Sequence, residues 1–160
     1  MFLGIIVAVT VLAADQLSKF WILNHVLEGR PFIEITSFFN LVQAWNTGVS
    51  FSMFSGSGAV GTIVLCLVAA AIVVSLLWWL YKENVHLIQI GLGMIIGGAL
   101  GNIVDRVRLG AVFDFLDFHF AGHHWPAFNL ADSFICIGAV IIILQSLFTQ
   151  NPKNAKEQNK

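Results

Sequence analysis

The chain is expected to be an all-α membrane protein of four transmembrane helices with a small β-containing region in its loops. Three observations predict this. Of its 160 residues, 58% are apolar and only 11% are charged, with a mean hydropathy of +0.83, far outside the range of soluble domains. Four windows carry the roughly 20 mostly apolar residues that a hydrocarbon core demands. The first long loop holds runs of β-branched and aromatic residues in rough alternation, which favours short strands.

The first window runs over about residues 2–22. Its apolar stretch Leu3 to Ala14 ends in small residues, as a cleaved leader would. No Lys or Arg precedes it, so it reads as a retained helix. Residues 23–58 then form a loop containing Pro31 to Thr36 and Gly48 to Phe54 as strand candidates. Trp45, Phe38, Phe39 and Phe54 suit it to lie on the bilayer at headgroup level.

The second and third windows span about 59–81 and 85–104. Within the third, Gly93, Gly97 and Gly101 recur every four residues with Gly98 beside them. This places small residues on one face for close approach of a neighbouring helix. It is not a G-x-G-x-x-G after a soluble strand, so no dinucleotide site is read from it. A loop over about 105–128 leads to the fourth window, 129–148. Residues 1–150 form one domain, and the polar segment 151–160 is expected to be a disordered cytoplasmic tail.

An even number of crossings puts both termini on one side and both loops on the other. Positive charge does not choose between the sides: Lys82, Lys153, Lys156 and Lys160 stand against Lys19, Arg30, Arg106 and Arg108. Lys19 and Arg106 each have a carboxylate close by, which makes them structural charges and favours termini inside. A net charge of −1 offers no field for phosphates, so no nucleic acid is expected as a partner. Cys66 and Cys136 have no C-x-x-C spacing and read as small buried hydrophobes.

Polar groups at membrane depth carry the functional information, because an ionised side chain there costs about 2.5–3.5 kcal/mol even on the mildest scale. Asp15 and Lys19 sit four apart and form a local pair. Asn102 and Arg106 repeat that spacing at the end of the third window, where a five-donor guanidinium can hold a carbonyl or carboxylate. His119, His123 and His124 lie in one loop with Asp114 and Asp117. Their spacing is irregular, no H-E-x-x-H occurs, and no metal or other cofactor is expected. Asp117 is expected to face water.

Asp114 and Asp132 differ from these. Each sits in an apolar frame with no basic residue within four positions, and the 18 positions between them must turn back from the third span to the fourth. Two carboxylates brought together at low dielectric share a proton, one serving as base toward a water and the other as acid toward a carbonyl oxygen. On spacing alone this dyad stands beside a blander reading as two unrelated polar caps, with Asp132 capping the fourth helix.

The segments Asn102-Ile103-Val104-Asp105-Arg106, Val112-Phe113-Asp114-Phe115 and Pro126-Ala127-Phe128-Asn129-Leu130-Ala131-Asp132 closely resemble, in that order, those of bacterial lipoprotein signal peptidases, the signal peptidase II family. Asp15-Gln16-Leu17-Ser18-Lys19 looks like the family's D-x-x-x-K element, and Asn46-Thr47-Gly48 with Phe51 like its N-T-G-x-x-F loop. The likeness covers nearly the whole chain, and the combination is specific where each piece alone is weak. It implies an intramembrane aspartic endopeptidase with Asp114 and Asp132 as the catalytic pair and no cofactor. The substrate would be a lipid-modified prolipoprotein, cut just before a diacylglyceryl cysteine.

The resemblance further implies that Asp15, Lys19, Asn46, Gly48, Asn102, Arg106 and Asn129 shape or support the site. It also places both loops and the dyad on the outer side of a bacterial cytoplasmic membrane; membrane lipid is an expected partner, and a monomer is expected. One departure stands out: Val49-Ser50 occupy positions where the family usually has two alanines. Two other classes remain in view: a small transporter using Asp114, Asp132 and Asp15, and a structural adaptor binding partners through its glycine-lined helix. Exchanging either aspartate for its amide separates all three readings.

Overall fold

The computed structural model describes residues 1–48 and 58–149. Helix α1 (Phe2–Trp21) buries Gly4, Ala8, Val11, Asp15 and Lys19, a stripe whose steps of three and four follow the turn of a helix. It packs on α3 (His86–Leu109), the central helix, which also carries α2 (Gly58–Lys82) and α4 (Leu130–Thr149). In lipid, helices gain little from excluding apolar surface and associate through close backbone packing. The glycines of α3 supply that closeness on two faces rather than one. A Cβ on Gly93 would strike Gly4 O and Val7, one on Gly97 would strike Ala8 O and Val11, and one on Gly101 the carboxylate of Asp15. A Cβ on Gly98 would instead strike Ala131 O and Ile135, and one on Gly91 would strike Ile142 and Gly138 O. The expectation that Gly98 shares the face of the other three is thereby corrected, and both glycine faces are already filled within the chain.

Among the described residues, four helices are long and apolar enough to cross a membrane: Phe2–Val26, Val60–Lys82, His86–Leu109 and Leu130–Phe148. α2 joins Val73 and Leu80 to a core with Ala8, Leu92 and Ile96, and turns Val60, Ile63, Val64, Leu67 and Val68 outward. α3 outruns its expected end at Val104 by five residues. Asn102 and Asp105 near its end are bonded inside the bundle, and the helix closes on Gly110, whose φ of 78° and N–H···O bond to Arg106 at 3.0 Å form the terminating turn.

Between α1 and the first strand, a π-helical turn (Ile22–Val26) delivers Leu27 into the interior. Leu27 is fully buried against Phe113 and Phe115. The strands β1 (Phe32–Thr36), β2 (Phe39–Asn46), β3 (Val112–Phe120) and β4 (His123–His124) form one antiparallel sheet in that order. β1 falls where a strand was expected. β2 and β3 were not foreseen, because their pairing, with Ala44 opposite Asp114 and Asn46 opposite Val112, joins loops far apart in sequence. The other candidate strand, Gly48 to Phe54, lies almost entirely outside the described residues, as do Val49, Ser50 and the tail. Phe38 and Trp45 are about half exposed. Phe39 is turned inward against Phe118 at 4.8 Å between ring centroids, and Phe54 is not described.

Candidate active site

Asp114 is placed by its neighbours on β3. Successive side chains on a strand point to opposite faces, and Phe113 and Phe115 both pack against Leu27. Asp114 is thus turned the other way and is 2% exposed. Asp132 is placed by the start of α4. Asn129 Oδ1 accepts the Asp132 N–H at 3.0 Å, and the Asp132 carboxylate accepts the Asn129 N–H at 3.3 Å. This reciprocal arrangement is a capping box. The alternative reading of Asp132 as the cap is therefore corrected: Asn129 caps the helix, and Asp132 stands at its third position.

Two asparagine amides tie the carboxylates into one site. Asn129 Nδ2 donates to Asp114 Oδ1 at 2.7 Å and to Asn102 Oδ1 at 3.2 Å, while Asn102 Nδ2 donates to Asp132 Oδ1 at 2.8 Å. The Asn46 side chain also hydrogen-bonds Asp114, and its own oxygen accepts the Gly48 N–H at 2.8 Å. Burial pushes the Asp114 carboxyl up to about 6. The Asn46 bond opposes that rise, and the negative charge of Asp132 reinforces it. One acid ready to hold a proton near neutrality thus faces a second carboxylate.

Behind this pair lies an ion cluster. Lys19 Nζ reaches Asp15 Oδ2 and Asp105 Oδ2, each at 2.8 Å, and Asn102 Oδ1 at 3.3 Å. Gln16 Nε2 donates to Asp105 Oδ1 at 2.9 Å and to Gly101 O at 3.3 Å. Asp15 and Lys19 are consequently more than the local pair expected from their spacing. Asp105 and Gln16 are members that the sequence reading left out of the site. Their signal was present: Asp105 lies one turn beyond Gly101, on the face where α1 comes closest. Arg106 approaches differently, donating from Nη1 to Asn102 O at 3.4 Å. Its guanidinium borders Gly48, where an added Cβ would lie 3.5 Å from Nη2 and would strike Leu65. Gly48 has a φ of 76°.

A second polar cluster occupies the far half of β3. Asp117 is 6% exposed, not turned to water as expected. It accepts from Asn40 Nδ2 at 2.8 Å and meets His124 Nδ1 at 2.9 Å. Its register opposite Asn40 could not be read from local spacing. His119 and His124 stack at 4.9 Å rather than aiming at a common point. Among the described residues, no three His, Cys, Asp or Glu side chains assemble as metal ligands do.

Comparison with known proteins adds independent findings. The family model described as signal peptidase (SPase) II matches residues 7–148. Proteins named lipoprotein signal peptidase are similar along almost all of the chain. One from Rhodopseudomonas palustris strain TIE-1 is 45% identical over 91% of this chain and 92% of its own. One from Nitrobacter hamburgensis is 46% identical over 93% of each. Two solved structures titled as bacterial membrane enzymes, determined by the in meso method at 2.3 and 1.9 Å resolution, share 30% identity. Their TM-scores are 0.76 and 0.78, covering 93% and 92% of this chain and 90% and 94% of their own.

Proposed function

The chain belongs to the signal peptidase II family, a membrane peptidase that removes the signal peptide from prolipoproteins, and we propose that Asp114 and Asp132 are its catalytic pair. The observation that carries this is the Asn129 amide, which bonds Asp114 while the Asn129 backbone N–H and cap oxygen hold Asp132. One residue thereby gathers two carboxylates that chain distance separates.

In the reaction we infer, Asp132 starts ionised and Asp114 protonated. Asp132 takes a proton from a water, whose oxygen attacks the scissile carbonyl carbon, while Asp114 gives its proton to the carbonyl oxygen. The tetrahedral diol collapses as Asp114 recovers that proton and Asp132 delivers the other to the leaving nitrogen. The C–N bond breaks, and both acids return to their starting states. No covalent intermediate is required.

The scissile bond is the one just before a diacylglyceryl cysteine, presented from the outer leaflet with both termini cytoplasmic. The transporter reading is unsupported by the family match, and the adaptor reading loses its surface because α1 and α4 cover the glycines.

The test is processing of lipid-modified precursor by Asp114→Asn and Asp132→Asn. Each is expected to insert normally and accumulate uncut precursor, since an amide can neither take nor give the proton. Near-parental cleavage by either variant would refute the dyad.

A further inference from the structure

The two amides of the site cannot be turned end for end, and the group that fixes them is a buried lysine. We infer that Lys19 is a positioning residue of the reaction: it takes the Asn102 oxygen and so forces the Asn102 N–H toward Asp132, the member of the pair proposed as the base. This rests on the catalytic reading of Asp114 and Asp132.

An ammonium has three donors and no acceptor. Lys19, 5% exposed, directs its donors to Asp15, Asp105 and Asn102 Oδ1. Only the oxygen of Asn102 can face it, so only the Asn102 nitrogen is left for Asp132 Oδ1, 2.8 Å away. The second amide is fixed in the same sense. Asn129 Oδ1 is taken by the Asp132 N–H, which leaves the nitrogen to donate to Asp114 and to Asn102. Donation therefore runs one way through the site, from Lys19 and the α4 backbone toward the two carboxylates.

The acids that hold Lys19 also hold the backbone beside each catalytic residue. Asp105 Oδ2 accepts the N–H of Phe113, the residue before Asp114, at 3.2 Å. Asp15 Oδ1 accepts the N–H of Ala131, the residue before Asp132, at 3.0 Å. One cation thus gathers two anions, and each anion grips the chain one position upstream of a catalytic acid. The charged groups around Lys19 are Asp15 on α1, Asp105 on α3, Asp132 on α4 and Asp114 on β3. Its positive charge acts on Asp114 across the site.

Lys19→Met alone would leave Asp15 and Asp105 facing each other without a counter-ion and is expected to cost folding. The informative variant is Lys19→Met combined with Asp105→Asn, which keeps the net charge of the cluster, measured beside Asp105→Asn alone. The assay is cleavage of a diacylglyceryl-modified precursor peptide by the full-length enzyme across pH. Relative to Asp105→Asn, the double variant is expected to lose about 10- to 100-fold in kcat. KM should stay within about two-fold, and the kcat/KM profile should move to higher pH as positive charge leaves the neighbourhood of Asp114. A folded double variant that differs from Asp105→Asn only in melting temperature, with the same kcat and pH profile, would overturn the role of Lys19. Parental cleavage by Asp114→Asn or Asp132→Asn would overturn the catalytic reading beneath it, so the two failures are told apart.

Discussion

Asp114 and Asp117 stand three residues apart on one strand and are almost equally buried, yet their chemistry runs in opposite directions. Burial lifts Asp114 to about 6, with Asp132 adding to the rise. Burial pushes Asp117 the same way, but the Asn40 bond, the His124 bond and the positive charge of His124 and His119 outweigh it and hold the carboxyl below its usual range. Low exposure alone therefore does not raise a carboxyl. The groups across the gap decide: a second carboxylate in one case, an amide and imidazoles in the other.

The largest expected contrast is in activity. Asp114→Asn should reduce precursor processing by at least about 1,000-fold, whereas Asp117→Asn should leave it within a few-fold. Equal losses in the two variants, measured per folded molecule, would erase the distinction.

Glycine substitutions sharpen the same contrast. Gly101→Ala would drive a methyl into the Asp15 carboxylate behind Asp114 and should cost about 1–3 kcal/mol of stability, together with most of the activity. Gly122 lies in the turn between β3 and β4, beside the Asp117 cluster, with a φ of 79° and open space around it. Gly122→Ala should cost only about 1 kcal/mol of backbone strain and leave processing near parental. Thermal melts paired with processing assays check both.

Stability against pH should separate the two acids by sign. Asp114 favours the neutral form when folded, so its contribution is full below the ordinary carboxylate pKa and is lost as pH rises through about 6. Asp114→Asn should accordingly melt higher than the parent at pH 8, by up to about 3 kcal/mol, and lose that advantage by pH 4. Asp117 is held below its usual range, so its contribution is present at neutral pH and lost on acidification. Asp117→Asn should melt lower than the parent at pH 7, by about 1–3 kcal/mol, with the deficit closing as pH falls below the carboxylate range.

The smallest effect concerns Asn46, whose bond opposes the rise of Asp114. The parental kcat/KM should fall along an alkaline limb near pH 6, and Asn46→Ala should shift that limb to higher pH. An unmoved limb would remove Asn46 from the tuning of Asp114.

What was legible in the sequence follows the range of the interactions involved. The four spans were readable because apolar length is a local property, and the third was cut short only at Asp105, where charged residues begin. Gly110 with Arg106 and Arg108 just before it was the overlooked stop signal. Asp114 and Asp132 stood out because apolar frames offered them no local partner. β2, β3 and the burial of Asp117 were not legible, because the register of Asn40 with Asp117 depends on a contact between residues 77 positions apart. Asp105 was visible as a charge near a helix end, but its grip on Phe113 exists only once β3 folds back.

The most direct measurement of the central claim is infrared difference spectroscopy of the protonated carboxyl stretch across pH in the intact enzyme. A carboxylic acid that loses its proton near pH 6 should be present in the parent and in Asp117→Asn, and absent in Asp114→Asn. Persistence of that signal in Asp114→Asn, or its loss in Asp117→Asn, would contradict the account.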